Sequence, residues 1–428
     1  MKLLIKSGRV MDPASKTDEV SDILIENGKI TKIAKQIKGK ADKTIDAKGC
    51  FVMPGFIDLH VHLRDPGFEE KETIVTGAKA AARGGFTTIL AMPNTKPVVD
   101  NADVVNYVHQ KAKNLAAVNV LQIGAVTKGQ KGKELAEIHK MAQANIPAIS
   151  EDGSSVMNAD LYDRAMRIAK EENIPVFAHC EDKNLARGGV MNAGEKAKEL
   201  YLPGIVNEAE DVIVARDIVL AHGTGAHLHF CHCSTRGSVF MIRQAKEKGI
   251  HVTAEAAPHH FTLSEEDIQR DDANYKMNPP LRSVKDVEAI REGLKDGTID
   301  VIATDHAPHT AIEKGRSMRR APFGIVGLET AAALTYSELV LKDYLTPMQM
   351  AEKLSYNPAR IIGLDKGTIK EGGVADLVIF DPSSNYTISK DKFAGKAKNT
   401  PFHNRKVTGK VIATIVSGEI VYREGTLK

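Results

Sequence analysis

The chain has 428 residues, with 58 Lys and Arg against 55 Asp and Glu; the net charge of +3 gives no bulk field suited to nucleic acid or an anionic membrane. Four cysteines (Cys50, Cys180, Cys231 and Cys233) are too few for a disulfide framework at this length. No apolar run reaches the roughly 18 residues of a membrane span, and the first residues lack a signal peptide's apolar core. A cytoplasmic protein with one large domain and a smaller one is therefore expected.

In chain order, residues 2–7, 22–26, 29–34 and 44–46 read as short β strands, with Asn27-Gly28 as a hairpin turn. From about 53 to 360, strands and amphipathic helices alternate. The strands are expected at 56–62, 86–91, 118–126, 146–150, 175–179, 227–232, 251–256 and 300–304. The helices are expected at 69–83, 101–115, 132–144, 158–172, 207–221, 235–248, 283–295 and 327–341. Eight such units predict an α/β fold of the (β/α)8 TIM-barrel type, and no GxGxxG follows any strand to favour an open dinucleotide-binding sheet. Alternating segments return at 375–380, 410–416 and 419–422. Neither end can build a core alone, so residues 1–52 and 365–428 are expected to form one composite β-sandwich flanking a barrel of residues 53–364.

Active sites of such barrels lie at the C-terminal ends of the strands, and the ligand-type residues of this sequence fall there. Alternation in the first strand puts His60 and His62 on one face, about 7 Å apart, with Arg64 at the same parity. The second strand runs into Asn94, the fourth into Glu151-Asp152, the fifth into His179 and the sixth into His232. The eighth runs into Asp305 and His309. Four histidines and two carboxylates at one rim form a donor set for close divalent cations. If His232 faces the interior, parity turns Cys231 and Cys233 outward, and Cys180 beside His179 likewise. His229 has the wrong parity. His259 and His260 read as structural or supporting, and His222, His227 and His251 as ordinary packing residues.

The stretches Pro54–Gly67 (PGFIDLHVHLRDPG), Met92-Pro-Asn-Thr95, Glu255-Ala-Ala-Pro-His-His260, Asn278-Pro-Pro-Leu-Arg282 and Ala303-Thr-Asp-His-Ala-Pro-His309 resemble those of bacterial dihydroorotases. The likeness is to the multifunctional-type class of the amidohydrolase superfamily, and it spans nearly the whole chain in the family's order. It implies zinc, with His60, His62 and Asp305 on one ion and His179 and His232 on the second. Asp152 would bridge them, where many superfamily members use a carboxylated lysine. Two ions per chain are expected, with one as the alternative, because a carboxylate is shorter than a carbamate. The implied activity is the reversible cyclisation of N-carbamoyl-L-aspartate to L-dihydroorotate in pyrimidine biosynthesis, by a zinc-activated hydroxide with Asp305 as proton shuttle. Arg64, Asn94 and His309 would grip the substrate carboxylate beside His62, with Asn278 at the ring amide. The backbone at Phe323 and Gly324 would close the other side, behind a mobile rim at 313–320. The alternatives are another cyclic amidase (hydantoinase, dihydropyrimidinase or allantoinase) and a silent partner of aspartate transcarbamoylase. The second alternative conflicts with six competent ligand positions. A homodimer is expected, a complex with the transcarbamoylase stays open, and neither nucleic acid nor membrane is expected as a partner.

Overall fold

The computed structural model describes residues 2–427. Eight short parallel strands form its centre. The first is Phe56–Val61 and the second Phe86–Ala91; the third comes in two pieces, Asn119–Gln122 and Gly124–Ala125. The others are Ile149–Ser150, Val176–Ala178, Leu228–Phe230, Val252–Ala256 and Val301–Ile302. The third strand's first piece pairs with the second strand and its other piece with the fourth. A parallel bridge from Val61 to His306 closes the ring, with the His62 amide donating to the His306 carbonyl at 2.8 Å. The fold is therefore the expected (β/α)8 barrel.

Strands four, six and eight are shorter than the sequence pattern suggests. Beyond Phe230 and Ile302 the chain leaves the ladder, and His232 and Asp305 adopt left-handed backbone angles, φ 32° and 47°. Ile57, Leu59, Leu90, Met92, Ile123, Ala148, Phe177, Val301 and Ala303 fill the barrel interior, together with Cys231. Ala359 plugs this layer. Phe56, Phe86, Ala178, Phe230, Ala254 and Ile302 face outward to the helices, as does Cys233. The outward placement expected for Cys231 is thus wrong. Parity along the sixth strand points residues 229 and 231 inward, and His232 reaches the rim only because its backbone turns over.

Most helices start where a capping side chain dictates. Asn101 caps Ala102–Leu115, Asn158 caps Ala159–Glu171 and Thr235 caps Arg236–Glu247; Ser283 and Asp286 form a reciprocal box on Val284–Asp296. The first helix begins only at Ile74, because Thr73 caps it and residues 69–71 are used in turns. Between the fifth strand and Glu208–Thr224, the chain inserts a short parallel pair, Met191–Asn192 with Gly204–Ile205, that no sequence pattern announced.

Both chain ends join one hydrogen-bonded sheet of nine strands. Lys2–Asp12 pairs with Thr17–Glu26, which turns at Asn27 and Gly28 (φ 50° and 81°) into Lys29–Ala34. Both turn residues have the positive φ of the tight hairpin turn that Asn-Gly favours. Leu377–Thr387 lies between Phe51–Pro54 and Lys406–Val416, so the C-terminal strands complete a sheet begun at the N-terminus. Leu3, Ile5, Ile23, Ile45, Val52, Leu377, Ile379 and Ile415 form its core. Residues 388–405 depart from this sheet and run across the barrel mouth. There the amides of Ala394 and Gly395 bond Glu329, and that of Lys396 bonds Glu72.

Phe380 ties sheet to barrel: fully buried, it stacks on Phe51 at 6.3 Å and meets Tyr336 edge-on at 5.3 Å. Phe380→Ala is expected to lower unfolding free energy by about 3–5 kcal/mol, read as a fall in the urea midpoint.

Candidate active site

The first strand owes its chemistry to one extra residue. Asp58 pairs with Ile89 and Val61 with Ala91, so three steps on one strand face two on the other. A bulge of this kind re-aims side chains. It lets Ile57 and Leu59 point into the barrel and still delivers His60 to the same interior. Buried Asp58 holds the bulge by accepting from the Thr304 hydroxyl (2.6 Å) and amide (3.0 Å) and from the His60 amide (3.1 Å).

His60 is fully buried. Its Nδ1 lies 2.8 Å from Glu255 Oε1, which fixes the proton there and leaves Nε2 facing Asp152 (3.2 Å) and Asp305 (3.5 Å). His62 sets Nε2 at 3.1 Å from Asp305 and 3.5 Å from Asp152, with Nδ1 at 2.9 Å from Asn94 Oδ1. His179 Nδ1 and His232 Nε2 are 3.0 Å apart and lie 3.5 and 3.6 Å from the same Asp152 oxygen. One carboxylate thus stands among four imidazoles.

Burial opposes charge on His60, Asp152 and Glu255, yet their neighbours favour it; on His62 burial prevails and lowers the pKa. Asp152 and Glu255 hold His60 well above its ordinary pKa against desolvation. The charge of His60, with His179 and His232 close by, holds Asp152 well below the carboxylate range. Desolvation raises Glu255 too, but His60 and His229 outweigh it and bring it down to about 2. His60 Nε2, Asp152 Oδ1 and His232 Nδ1 are buried without a hydrogen-bond partner. Donor atoms of His60, His62 and Asp305, and of His60, Asp152 and His232, lie within 4.8 Å of one another. Orphaned nitrogen and carboxylate donors in this arrangement fit divalent metal. Cys231 also falls near His60 and Glu255, and burial with the Glu255 charge raises the pKa of its thiol.

Beside the cluster is a cavity of about 210 Å³ lined by His62, Arg64, Asn94, Asp152, Asn278, Asp305, His309, Phe323 and Gly324 among others. Arg64 arrives by a turn rather than by strand parity: the strand stops at Val61 and Arg64 has φ 60°. Its guanidinium is half-buried, and desolvation lowers its pKa to about 10, which leaves it cationic. Its contacts are the Pro308 carbonyl (3.3 Å) and His309 (3.4 Å), and among the described residues it has no ion-pair partner. His309 Nε2 lies 2.7 Å from the Phe323 carbonyl, so that nitrogen carries the proton. Burial and the Arg64 charge drive the ring's pKa down to about 2 and keep it neutral. Asn94 spans His62 and Asp152, with Nδ2 at 3.3 Å from Asp152, and Asn278 donates to Glu181.

Sequence reasoning missed several supporting groups. Glu255 accepts from His229 (3.1 Å) and from the His232 amide (3.2 Å) as well as from His60, so His229 acts through it. The inward parity of the sixth and seventh strands was the available signal. The rim expected to be mobile is anchored. Lys314 is buried and donates to the carbonyls of Lys276 (3.1 Å), Pro322 (3.1 Å) and Gly324 (2.8 Å), while Lys276 donates to those of Met318 and Ala321 (both 2.6 Å). Lysine stems and backbone carbonyls leave no periodic pattern.

Residues 51–421 match the model of the amidohydrolase family, and the chain belongs to that family. Its full length aligns with a protein curated as dihydroorotase from Pelotomaculum thermopropionicum, 51% identical over 429 residues and covering 100% of both. Another so named, from Clostridioides difficile, is 51% identical over 421 residues, 98% of this chain and 99% of that one. Among solved structures it is similar to an L-hydantoinase (dihydropyrimidinase) from Arthrobacter aurescens, with TM-score 0.90, 26% identity, and 100% and 97% of the two chains covered. A dihydropyrimidinase from Brevibacillus agri gives TM-score 0.88 at 26% identity, covering 100% and 96%. No helix among the described residues is long and apolar enough to cross a membrane.

Glu255→Gln is expected to weaken metal retention by roughly 10–100-fold, measured as metal content after competition with a graded chelator.

Proposed function

We propose that this chain is a dihydroorotase, interconverting L-dihydroorotate and N-carbamoyl-L-aspartate. The observation that carries this reading over the hydantoinase reading is Arg64. A half-buried guanidinium with no salt-bridge partner among the described residues is ready for an anionic ligand, and a planar donor fork suits a carboxylate. Dihydroorotate and its open form bring a carboxylate to that position; neutral hydantoins and dihydropyrimidines do not. The full-length relatives named dihydroorotase support the same choice.

In this reading Arg64, Asn94 and His309 grip the substrate carboxylate. His62 and Asn278 face the ring amide, and the Phe323–Gly324 backbone bounds the far side. His60, His62 and Asp305 would hold one zinc ion and His179 and His232 a second, with Asp152 between them. The metal, when bound, would acidify water and polarise the scissile carbonyl. Asp305 moves the proton. In ring opening it accepts one from the attacking water and passes it to the leaving ring nitrogen; in closure it starts protonated and the order reverses. A cytoplasmic location and a twofold homodimer complete the assignment, the latter from the prevalence of such assemblies. Co-elution with aspartate transcarbamoylase tests whether the two associate.

Purified protein is expected to hydrolyse L-dihydroorotate, followed by ultraviolet absorbance, to lose the activity on chelation and to regain it with zinc. Preferential turnover of hydantoin or dihydrouracil would replace this reading with that of a hydantoinase. In the same assay Arg64→Met should lower kcat/KM for dihydroorotate by about a hundredfold or more, the consequence of losing charge-assisted bonds to a buried carboxylate.

A further inference from the structure

Asn399 lies on the 388–405 excursion, in the part of the sequence expected to belong wholly to the terminal β domain. It is 5% exposed, and its side-chain amide is fully used at the barrel mouth. Oδ1 accepts the His309 amide proton at 3.1 Å, and Nδ2 donates to the carbonyls of Ala307 and Gly324, each at 3.1 Å. Its backbone carbonyl accepts from Val326 at 2.9 Å. The partners fix the orientation of the amide, because an N–H needs an acceptor and the two carbonyls need a donor.

These contacts bracket the cavity. Residues 307–309 form one wall and 323–326 the other, joined directly by the Ala307 amide on the Ile325 carbonyl at 2.8 Å. His309 donates to the Phe323 carbonyl, and Arg64 packs beside it. Gly324 has φ 124°, and a Cβ there would sit 2.5 Å from the Ala307 Cβ, so the walls already touch where Asn399 spans them. No other described side chain bonds the backbone of both walls; Lys314 reaches only the 322–324 side and Lys276.

We propose that Asn399 is a positioning residue that sets the separation of the two walls, and so the fit of the carboxylate end of the substrate between Arg64, His309 and Gly324. The proposal rests on the dihydroorotase reading for the identity of that substrate. It makes the C-terminal portion of the chain a determinant of affinity at a site whose reacting groups all come from the barrel.

The test compares full-length, zinc-loaded wild type with Asn399→Ala and with Asn399→Asp. The aspartate keeps the shape and the acceptor for His309 but cannot, as a carboxylate, donate to either carbonyl. In both variants KM for L-dihydroorotate should rise about tenfold, the worth of roughly one buried hydrogen bond, while kcat stays within about threefold and zinc content is unchanged. Hydrogen exchange supplies a readout independent of turnover: the His309 amide should lose protection in Asn399→Ala and retain it in Asn399→Asp. An unchanged KM in both variants, or kcat falling as steeply as kcat/KM with loss of zinc, would overturn the proposal. If wild type does not turn over dihydroorotate at all, the functional reading fails first. The exchange arm then decides on its own: selective deprotection of His309 supports a positioning role, and unaltered protection sinks it.

Discussion

Asp152 and Asp305 are buried carboxylates whose ion-pair partners are histidines alone, and the mouth of the barrel is organised around keeping them charged. Desolvation by itself would protonate both. Four imidazoles from strands one, five and six surround them, and the rings are oriented in turn by Glu255 and Asn94. Each layer makes sense only through the one inside it. Glu255 tolerates its burial because it faces His60 and His229, and Asp58 tolerates its own, with a pKa pushed to about 6, through the strap to Thr304. Strain is placed accordingly: His232, Asp305 and Arg64 all leave strand geometry at the rim, where a side chain must turn toward a shared point rather than follow alternation.

That geometry explains what could be read from the amino-acid order and what could not. Hydrophobic periodicity and turn residues are local, so the eight strand–helix units, the helix caps and the Asn27-Gly28 hairpin were legible. The six candidate ligands were legible because they stand next to strand ends. Parity was a poorer guide exactly at those ends. It placed Cys231 outside the barrel when it lies inside, and it dismissed His229, which supports Glu255. It also brought Arg64 to the right cavity by the wrong route. The failures share a cause: a one-residue bulge or a left-handed residue inverts alternation without any change in composition. Asn399 and Lys314 escaped for a different reason, since their partners are backbone groups distant in sequence.

The same barrel serves hydantoinases and this chain, at 26% identity and nearly full overlap, so the fold does not choose the substrate. Discrimination between substrates has to come from the side chains that line the cavity. Arg64, without a salt-bridge partner among the described residues, stands in that cavity beside a neutral His309. In the proposed reading, that arginine is where discrimination resides.

The interleaving of the two chain ends also has a consequence for synthesis on the ribosome. Phe51–Pro54 emerges early, yet one of its two neighbours, Leu377–Thr387, is made more than three hundred residues later. Until then that strand presents an open hydrogen-bonding edge, and the barrel's mouth lacks the segment that crosses it. Vectorial folding therefore cannot finish the catalytic rim before almost the entire polypeptide has been released. A chain that stops short of residue 377 has neither its sheet nor its pocket closed.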